Sequence, residues 1–265
     1  MNYKILCSDL DGTLLSTKSD VSEFTISQIE RIRETTRVIL VSARMPQSMT
    51  YLQERLGISR QPMICYNGAL ILDGEKETFS EVIDLKVLEE VYRLAEIHDI
   101  KLGLYHGGEW YVEETSERVE KEINYTKTVP QLKKTAETLE VWKASNVSAH
   151  KVMLMCTRAS ADALFPILAS QLRNQIHSYR SNDTLIEIAP KSVSKLSAIQ
   201  TLLSSDESLA DVISFGDNYN DIEMLKHSGC GVAVANAREE VKAIANYTTL
   251  KNTEHGVAHF IKQHL

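Results

Sequence analysis

The stretch YKILCSDLDGT at residues 3–13 sets the reading of the chain. Tyr3 to Ser8 reads as an apolar strand, and it breaks at once into an acidic loop, Asp9-Leu10-Asp11-Gly12-Thr13. The pattern recurs. Arg37–Val41 is too apolar to face water on either side, the mark of a buried parallel strand, and it gives way to Ser42-Ala43-Arg44. Met63–Tyr66 runs into Asn67-Gly68, with Ala69–Leu72 read as its continuation. Val212–Phe215 ends in Gly216-Asp217-Asn218-Tyr219-Asn220-Asp221, and residues 231–235 read as a further strand. Helices separate these strands. Ser22 caps one, Pro46 opens the next and Gly57 stops it, and Val257, Phe260 and Ile261 line a last amphipathic helix.

Between the two alternating regions the rhythm changes. A helix at Leu85–Ile97 precedes a hairpin around Gly107-Gly108, polar helices, a strand at His150–Cys156, a helix and two further strands. The expected fold is therefore α/β: a doubly wound, Rossmann-like parallel-sheet core carrying an inserted α+β domain. The core is expected over residues 1–83 and 185–265, and the insertion over 84–184.

Composition narrows the function. The 265 residues are 43% apolar and 25% charged, as in soluble globular proteins. The net charge, 29 − 36 = −7, argues against a face for duplex nucleic acid or anionic lipid. No apolar run approaches the roughly 18 residues of a membrane span, and the short apolar start is interrupted by Asp9, so no signal peptide is expected. Cys7, Cys65, Cys156 and Cys230 form no CxxC pair and read as reduced thiols in the cytoplasm. A monomer or weak homodimer is expected.

In a doubly wound sheet, ligands bind beyond the carboxyl ends of the strands. There the sequence gathers Asp9, Asp11, Asp217 and Asp221, with Ser42 and, at the start of a helix, Lys195. Each alone has an ordinary structural reading: a turn, a helix cap, a solvated lysine. Four converging carboxylates repel one another unless a cation sits among them, and a hard ion with oxygen ligands, Mg²⁺ above all, answers that need. With Mg²⁺ and Lys195 present a phosphate dianion can approach, and Ser42 with the backbone N–H groups after it, Ala43 included, can donate to its oxygens. The set reads as metal-assisted phosphoryl transfer through a carboxylate nucleophile.

These residues resemble the haloacid dehalogenase-like superfamily, and within it the Cof-type phosphatases. DLDGT at 9–13, Ser42 in VILVSAR, Lys195 in IEIAPKSVSK and GDNYND at 216–221 stand as its four motifs, in order; Asn67-Gly68-Ala69 and GVAVANA at 231–237 match further features. The chain departs from the pattern at Ala43, Lys191, Leu196 and Ala235, where glycines are usual. The resemblance implies a cap at the insertion and a two-step mechanism. Asp9 attacks phosphorus, while Asp11 protonates the leaving alcohol and then deprotonates water. Mg²⁺ is held by Asp9, the Asp11 carbonyl and Asp217. Ser42, Lys195 and Asn220 hold phosphate oxygens, Asp221 orients Lys195 or metal-bound water, and Arg44, Asn67 and Gly68 support the site from behind. The expected substrate is a small phosphorylated metabolite such as a sugar phosphate, with His106, Trp110 and Arg180 of the insertion as candidate contacts. Rival readings are a sugar-phosphate mutase on the same core, a signalling receiver, and a binding protein without catalysis.

Overall fold

Residues 3–17 and 19–265 are described in this computed structural model. The chain opens with β1 (Ile5–Ser8), buried along its whole length. α1 (Glu23–Ile32) starts where the Ser22 hydroxyl accepts the Thr25 N–H at 3.1 Å, and it turns Ile29 and Ile32 inward. β2 (Arg37–Val41) follows, then α2 (Gln47–Leu56), which stops at Gly57 in the left-handed conformation at φ 67°. After β3 (Pro62–Cys65) the chain does not continue straight. Tyr66, Asn67 and Gly68 all take positive φ (52°, 57° and 106°), reversing the backbone so that β4 (Leu70–Asp73) returns antiparallel to β3, with Ile64 opposite Ile71. Apolar residues on both sides of Asn67-Gly68 concealed that reversal. β5 (Lys76–Ser80) ends the first half of the sheet.

The middle of the chain runs through α3 (Leu85–Ile97), β6 (Lys101–His106), β7 (Glu109–Val112), α4 (Glu117–Thr126), β8 (Gln131–Leu132), α5 (Thr135–Ala144), β9 (Lys151–Met155), α6 (Arg158–Gln171), β10 (Ile176–Asn182) and β11 (Leu185–Pro190). α7 (Lys195–Thr201), β12 (Val212–Gly216), α8 (Ile222–His227), β13 (Cys230–Ala233), α9 (Glu239–Ile244), β14 (Tyr247–Thr248) and α10 (Gly256–His264) restore the strand–helix alternation.

Two compact units result: residues up to Thr78 with Ser194–Leu265, and Phe79–Val193. The first holds a sheet in the order β14-β13-β12-β1-β2-β3-β4-β5. β1 pairs in parallel with both β12 and β2, so Ser8 has Phe215 on one side and Leu40 on the other. The strand order reverses direction around β1. That is the switch point of a doubly wound sheet, where the loops after adjacent strands part and leave a crevice.

The second unit holds the sheet β10-β11-β9-β6-β7-β8. Its apolar core joins Leu88, Val91, Leu104, Val152, Leu164 and Ile186, all buried. A division at 84–184 would assign β11 to the core. Instead β11 lies between β10 and β9 in the second sheet, with Ile176 opposite Pro190 and Glu187 opposite Met153. The turn at Asn182, whose side chain accepts the Thr184 N–H at 2.9 Å, makes β10 and β11 one hairpin, which a boundary at 184 would cut. Among the described residues no helix is long and apolar enough to cross a membrane.

Candidate active site

The loop after β1 is a wide turn. The Leu14 N–H donates to the Asp9 carbonyl at 3.2 Å and the Leu15 N–H to the Leu10 carbonyl at 3.0 Å, an i→i+5 pattern. The turn closes only because Gly12 takes φ 85°, and a Cβ there would lie 2.6 Å from Asp217 Oδ2. The glycine of DLDGT therefore lets the first acidic loop meet the second. Thr13 completes that junction, its hydroxyl donating to Asp217 Oδ1 at 3.0 Å. No role for Thr13 is evident from its motif alone; a hydroxyl so close in sequence to two aspartates is the available signal.

Lys195 arrives from the other side, on the first turn of α7, whose start is capped by the Ser194 hydroxyl accepting the Ser197 N–H at 3.1 Å. Gly68 makes room for this helix start, since a Cβ at Gly68 would sit 2.4 Å from the Ser194 carbonyl oxygen. The ammonium of Lys195 is 1% exposed and donates to Asp9 Oδ1 at 2.5 Å and to Asp221 Oδ1 at 2.7 Å. Asp221 is fully buried, and its other oxygen accepts the N–H groups of Asp217 at 2.9 Å and Asn218 at 3.0 Å. Asp221 thus accepts three hydrogen bonds from the lysine and its own loop, whereas Asp9 and Asp217 keep more of their oxygen lone pairs for other partners.

One carboxylate oxygen from each of Asp9, Asp217 and Asp221 lies within 4.8 Å of the others. Three carboxylates share one ammonium, leaving two negative charges unbalanced if all are ionised. Burial raises the Asp9 carboxyl well above its usual range, Lys195 opposes that rise, and Asp221 and Asp217 add to it. Asp217 is pushed up to about 6, by burial first and Asp221 next. Burial works against the Lys195 charge, but Asp221 and Asp9 outweigh it and hold its proton more tightly than usual. The unbalanced charge and the all-oxygen donor set fit a hard divalent cation, which would restore neutrality.

Asp11 stands apart from this cluster. Its side chain is 52% exposed and held in a two-pronged ion pair by Arg44, Nε to Oδ2 at 2.8 Å and Nη2 to Oδ1 at 2.7 Å. Arg44 itself is buried, and its hold on Asp11 outweighs burial to raise its already high affinity for the proton. Ser42 is 1% exposed and its hydroxyl accepts the Arg44 N–H at 3.2 Å; Ala43, between them, is half-buried. Asn220 donates from Nδ2 to Asn67 Oδ1 at 2.9 Å, and the Asn67 N–H donates to the Ser42 carbonyl at 2.9 Å. The first unit therefore joins Asp9, Asp217, Asp221 and Lys195 directly, and links Ser42, Asn67 and Asn220 in a chain of hydrogen bonds.

The three candidates from the insertion have structural partners within their own unit. Trp110 is corrected outright. It is 1% exposed and stacks on Tyr105 with ring centroids 5.4 Å apart, a packing position rather than an open contact at a hairpin tip. Alternation along β7 puts Trp110 on the opposite side from Tyr111, a distinction that a hairpin read from Gly107-Gly108 does not make. His106 places Nδ1 2.7 Å from the Ser148 carbonyl oxygen and lies against His150, and Arg180 pairs with Asp162 at 2.6 Å.

Comparison with known proteins gives a concordant result. A family model described as haloacid dehalogenase-like hydrolase matches residues 6–261. The pyridoxal phosphate phosphatase YbhA of Escherichia coli is 28% identical over 274 residues, covering all of both chains. The 5-amino-6-(5-phospho-D-ribitylamino)uracil phosphatase YitU of Bacillus subtilis is 27% identical over 98% of this chain and 97% of that one. Among solved structures, a haloacid dehalogenase-like hydrolase from Bacteroides thetaiotaomicron superposes with a TM-score of 0.88 at 28% identity, over 99% of this chain and 100% of the other.

Proposed function

Because the chain belongs to the haloacid dehalogenase-like hydrolases and is a phosphoric monoester hydrolase, we propose that it is a magnesium-dependent phosphatase working through an aspartyl-phosphate. The substrate class proposed is a small phosphorylated metabolite, a sugar phosphate or a related phosphomonoester, in keeping with relatives that act on pyridoxal phosphate and on a phosphoribityl compound. The observation that carries the reading is the buried meeting of Asp9, Asp217 and Asp221 with Lys195 at the switch point of the sheet.

Asp9 is the nucleophile: a carboxylate oxygen attacks phosphorus as the bond to the leaving alcohol breaks. Asp11, the more exposed of the pair, acts as the acid once it has left its ion pair with Arg44 and taken up a proton, which it then gives to the departing oxygen. It later takes a proton from the water that splits the acyl phosphate, releasing inorganic phosphate and restoring Asp9. Lys195, the Ser42 hydroxyl, the Ala43 N–H and Asn220 hold the phosphate oxygens, with Asp221 fixing the lysine and Asn67 the asparagine. Asp9, Asp217 and the Asp11 carbonyl would hold Mg²⁺, which screens the anionic nucleophile from the anionic phosphate. The inserted unit is assigned the choice of leaving group. Four free cysteines, three of them buried, support a reducing cytoplasm as its setting.

The test is a panel of phosphorylated sugars, nucleotides and cofactors assayed for released phosphate with Mg²⁺, alongside Asp9→Asn. The amide cannot act as an anionic nucleophile, so turnover is expected to vanish while the folded spectrum persists. Wild-type turnover by a clean preparation of the variant would overturn the assignment.

A further inference from the structure

The i→i+5 bonds of the loop after β1 occupy the carbonyls of Asp9 and Leu10, but not those of Gly12 and Leu15. Both are taken up by side chains from the far end of the sequence. Asn236 donates from Nδ2 to the Gly12 carbonyl at 2.8 Å, and Asn252 donates from Nδ2 to the Leu15 carbonyl at 2.9 Å. The two asparagines are themselves joined, the Asn252 N–H donating to Asn236 Oδ1 at 2.8 Å. A backbone N–H can only donate and a carbonyl can only accept, so the Asn236 amide has one workable orientation. Its two ends are matched to two fixed backbone groups.

The same short segment also reaches the second acidic loop. The Arg238 N–H donates to the Asp217 carbonyl at 3.0 Å, and its guanidinium donates from Nε to Asn218 Oδ1 at 2.8 Å. The segment is anchored from behind, with the Ala235 N–H on the Leu250 carbonyl at 3.2 Å. Residues 235–238 therefore form a strap between the loop bearing Asp9 and Asp11 and the loop bearing Asp217. Asn236 itself is exposed, so its part in this arrangement is hydrogen bonding rather than packing.

We infer that Asn236, seated by Asn252, is a positioning residue for the divalent-cation site: it fixes the Gly12–Thr13 peptide, the unit next to the one that carries the Asp11 carbonyl, relative to Asp217. The inference rests on the proposed metal-dependent phosphatase reading. Partners one shell removed from metal ligands typically cost 10–100-fold in metal affinity or activity when removed.

The probe is Mn²⁺, titrated into the substrate-free protein and followed by its electron-spin resonance signal, with thermal unfolding in chelator measured beside it. Asn236→Ala is expected to bind Mn²⁺ about tenfold more weakly with little change in melting temperature. Its kcat for an aryl phosphate should fall more than its KM rises. Asn236→Asp is the sharper variant. It keeps the bond from Asn252 but sets an oxygen against the Gly12 carbonyl. By charge alone it would tighten cation binding; by position it should weaken it. Asn252→Ala, which frees the other anchor, should shift Mn²⁺ binding in the same direction, and it decides the matter if the first variants do not fold. Wild-type Mn²⁺ affinity in Asn236→Ala, or tighter binding in Asn236→Asp, overturns the inference while leaving the functional reading intact. A wild-type protein that binds no Mn²⁺ overturns both.

Discussion

Asp217 is ionised against its surroundings, and replacing it with asparagine separates stability from function. Its carboxyl sits at about 6, against 3.8 for the free group. At 1.36 kcal/mol per unit, the Asp217 anion costs the metal-free protein about 3 kcal/mol at neutral pH. The sign follows from proton binding. Between pH 3.8 and about 6 the folded state holds the proton that the unfolded state has lost, so this contribution to stability falls as pH rises through that window. An asparagine amide in its place would keep an acceptor oxygen for the Thr13 hydroxyl yet carry no charge. In chelator at pH 7.5, Asp217→Asn is therefore expected to melt about 5–10 °C above the wild type. Magnesium should nearly close that gap. At 100 times its dissociation constant a cation that binds only the folded state adds about 2.7 kcal/mol, which the wild type should gain and the variant should largely lose. The assay is calorimetric or fluorescence melting of both proteins, with and without Mg²⁺, beside phosphatase turnover. A variant that melts below the wild type in chelator, or that keeps the full Mg²⁺ shift, would refute the account of the cluster as an excess of buried negative charge.

Other outcomes follow from the same geometry. Asp11→Asn keeps its backbone carbonyl, so it should retain Mg²⁺ binding and lose about 10²–10⁴-fold in proton transfer, less for an activated aryl phosphate than for a sugar phosphate. A single-turnover burst of aryl alcohol as impaired as in Asp9→Asn would contradict that division of labour. Gly12→Ala would strain a φ of 85° and press a Cβ to 2.6 Å from Asp217 Oδ2, so cation binding and turnover should fall together; a fully active variant would show that the two loops need not meet so closely. His150, in the inserted unit, is held neutral near 3 by burial and then by His106, its Nδ1 accepting the Gly107 N–H at 3.1 Å. Its contribution is complete above about pH 6.5 and is lost as pH falls toward 3, about 2 kcal/mol by pH 5. Urea unfolding at pH 7.5 and pH 5 should show that extra loss in the wild type and not in His150→Gln, and equal losses in both would refute it.

The alternation of strands and helices and the chemistry placed at the strand ends can be read from the residues alone. Both are local properties. The buried run of β2 is apolar on both faces, and DLDGT and GDNYND need only follow their strands to come to one edge of a parallel sheet. Caps at Ser22 and the stop at Gly57 were legible for the same reason, since each acts within a few residues of itself. Tertiary structure alone decided the rest. Whether β4 continued β3 or folded back on it hung on three positive φ angles, which an apolar pattern does not record. The sheet to which β11 belongs depended on its pairing partners, because apolar alternation looks alike in either sheet. The clasp of Arg44 on Asp11 spans 33 residues, and that of Asn236 on Gly12 spans 224, each made by a side chain ordinary in its own surroundings. Asp221 and Asp217 stand four residues apart in one motif, yet one is engaged by Lys195 and two backbone N–H groups while the other, held by Thr13, keeps more lone pairs for a cation. That difference comes from burial and from partners far along the chain, which spacing alone does not encode.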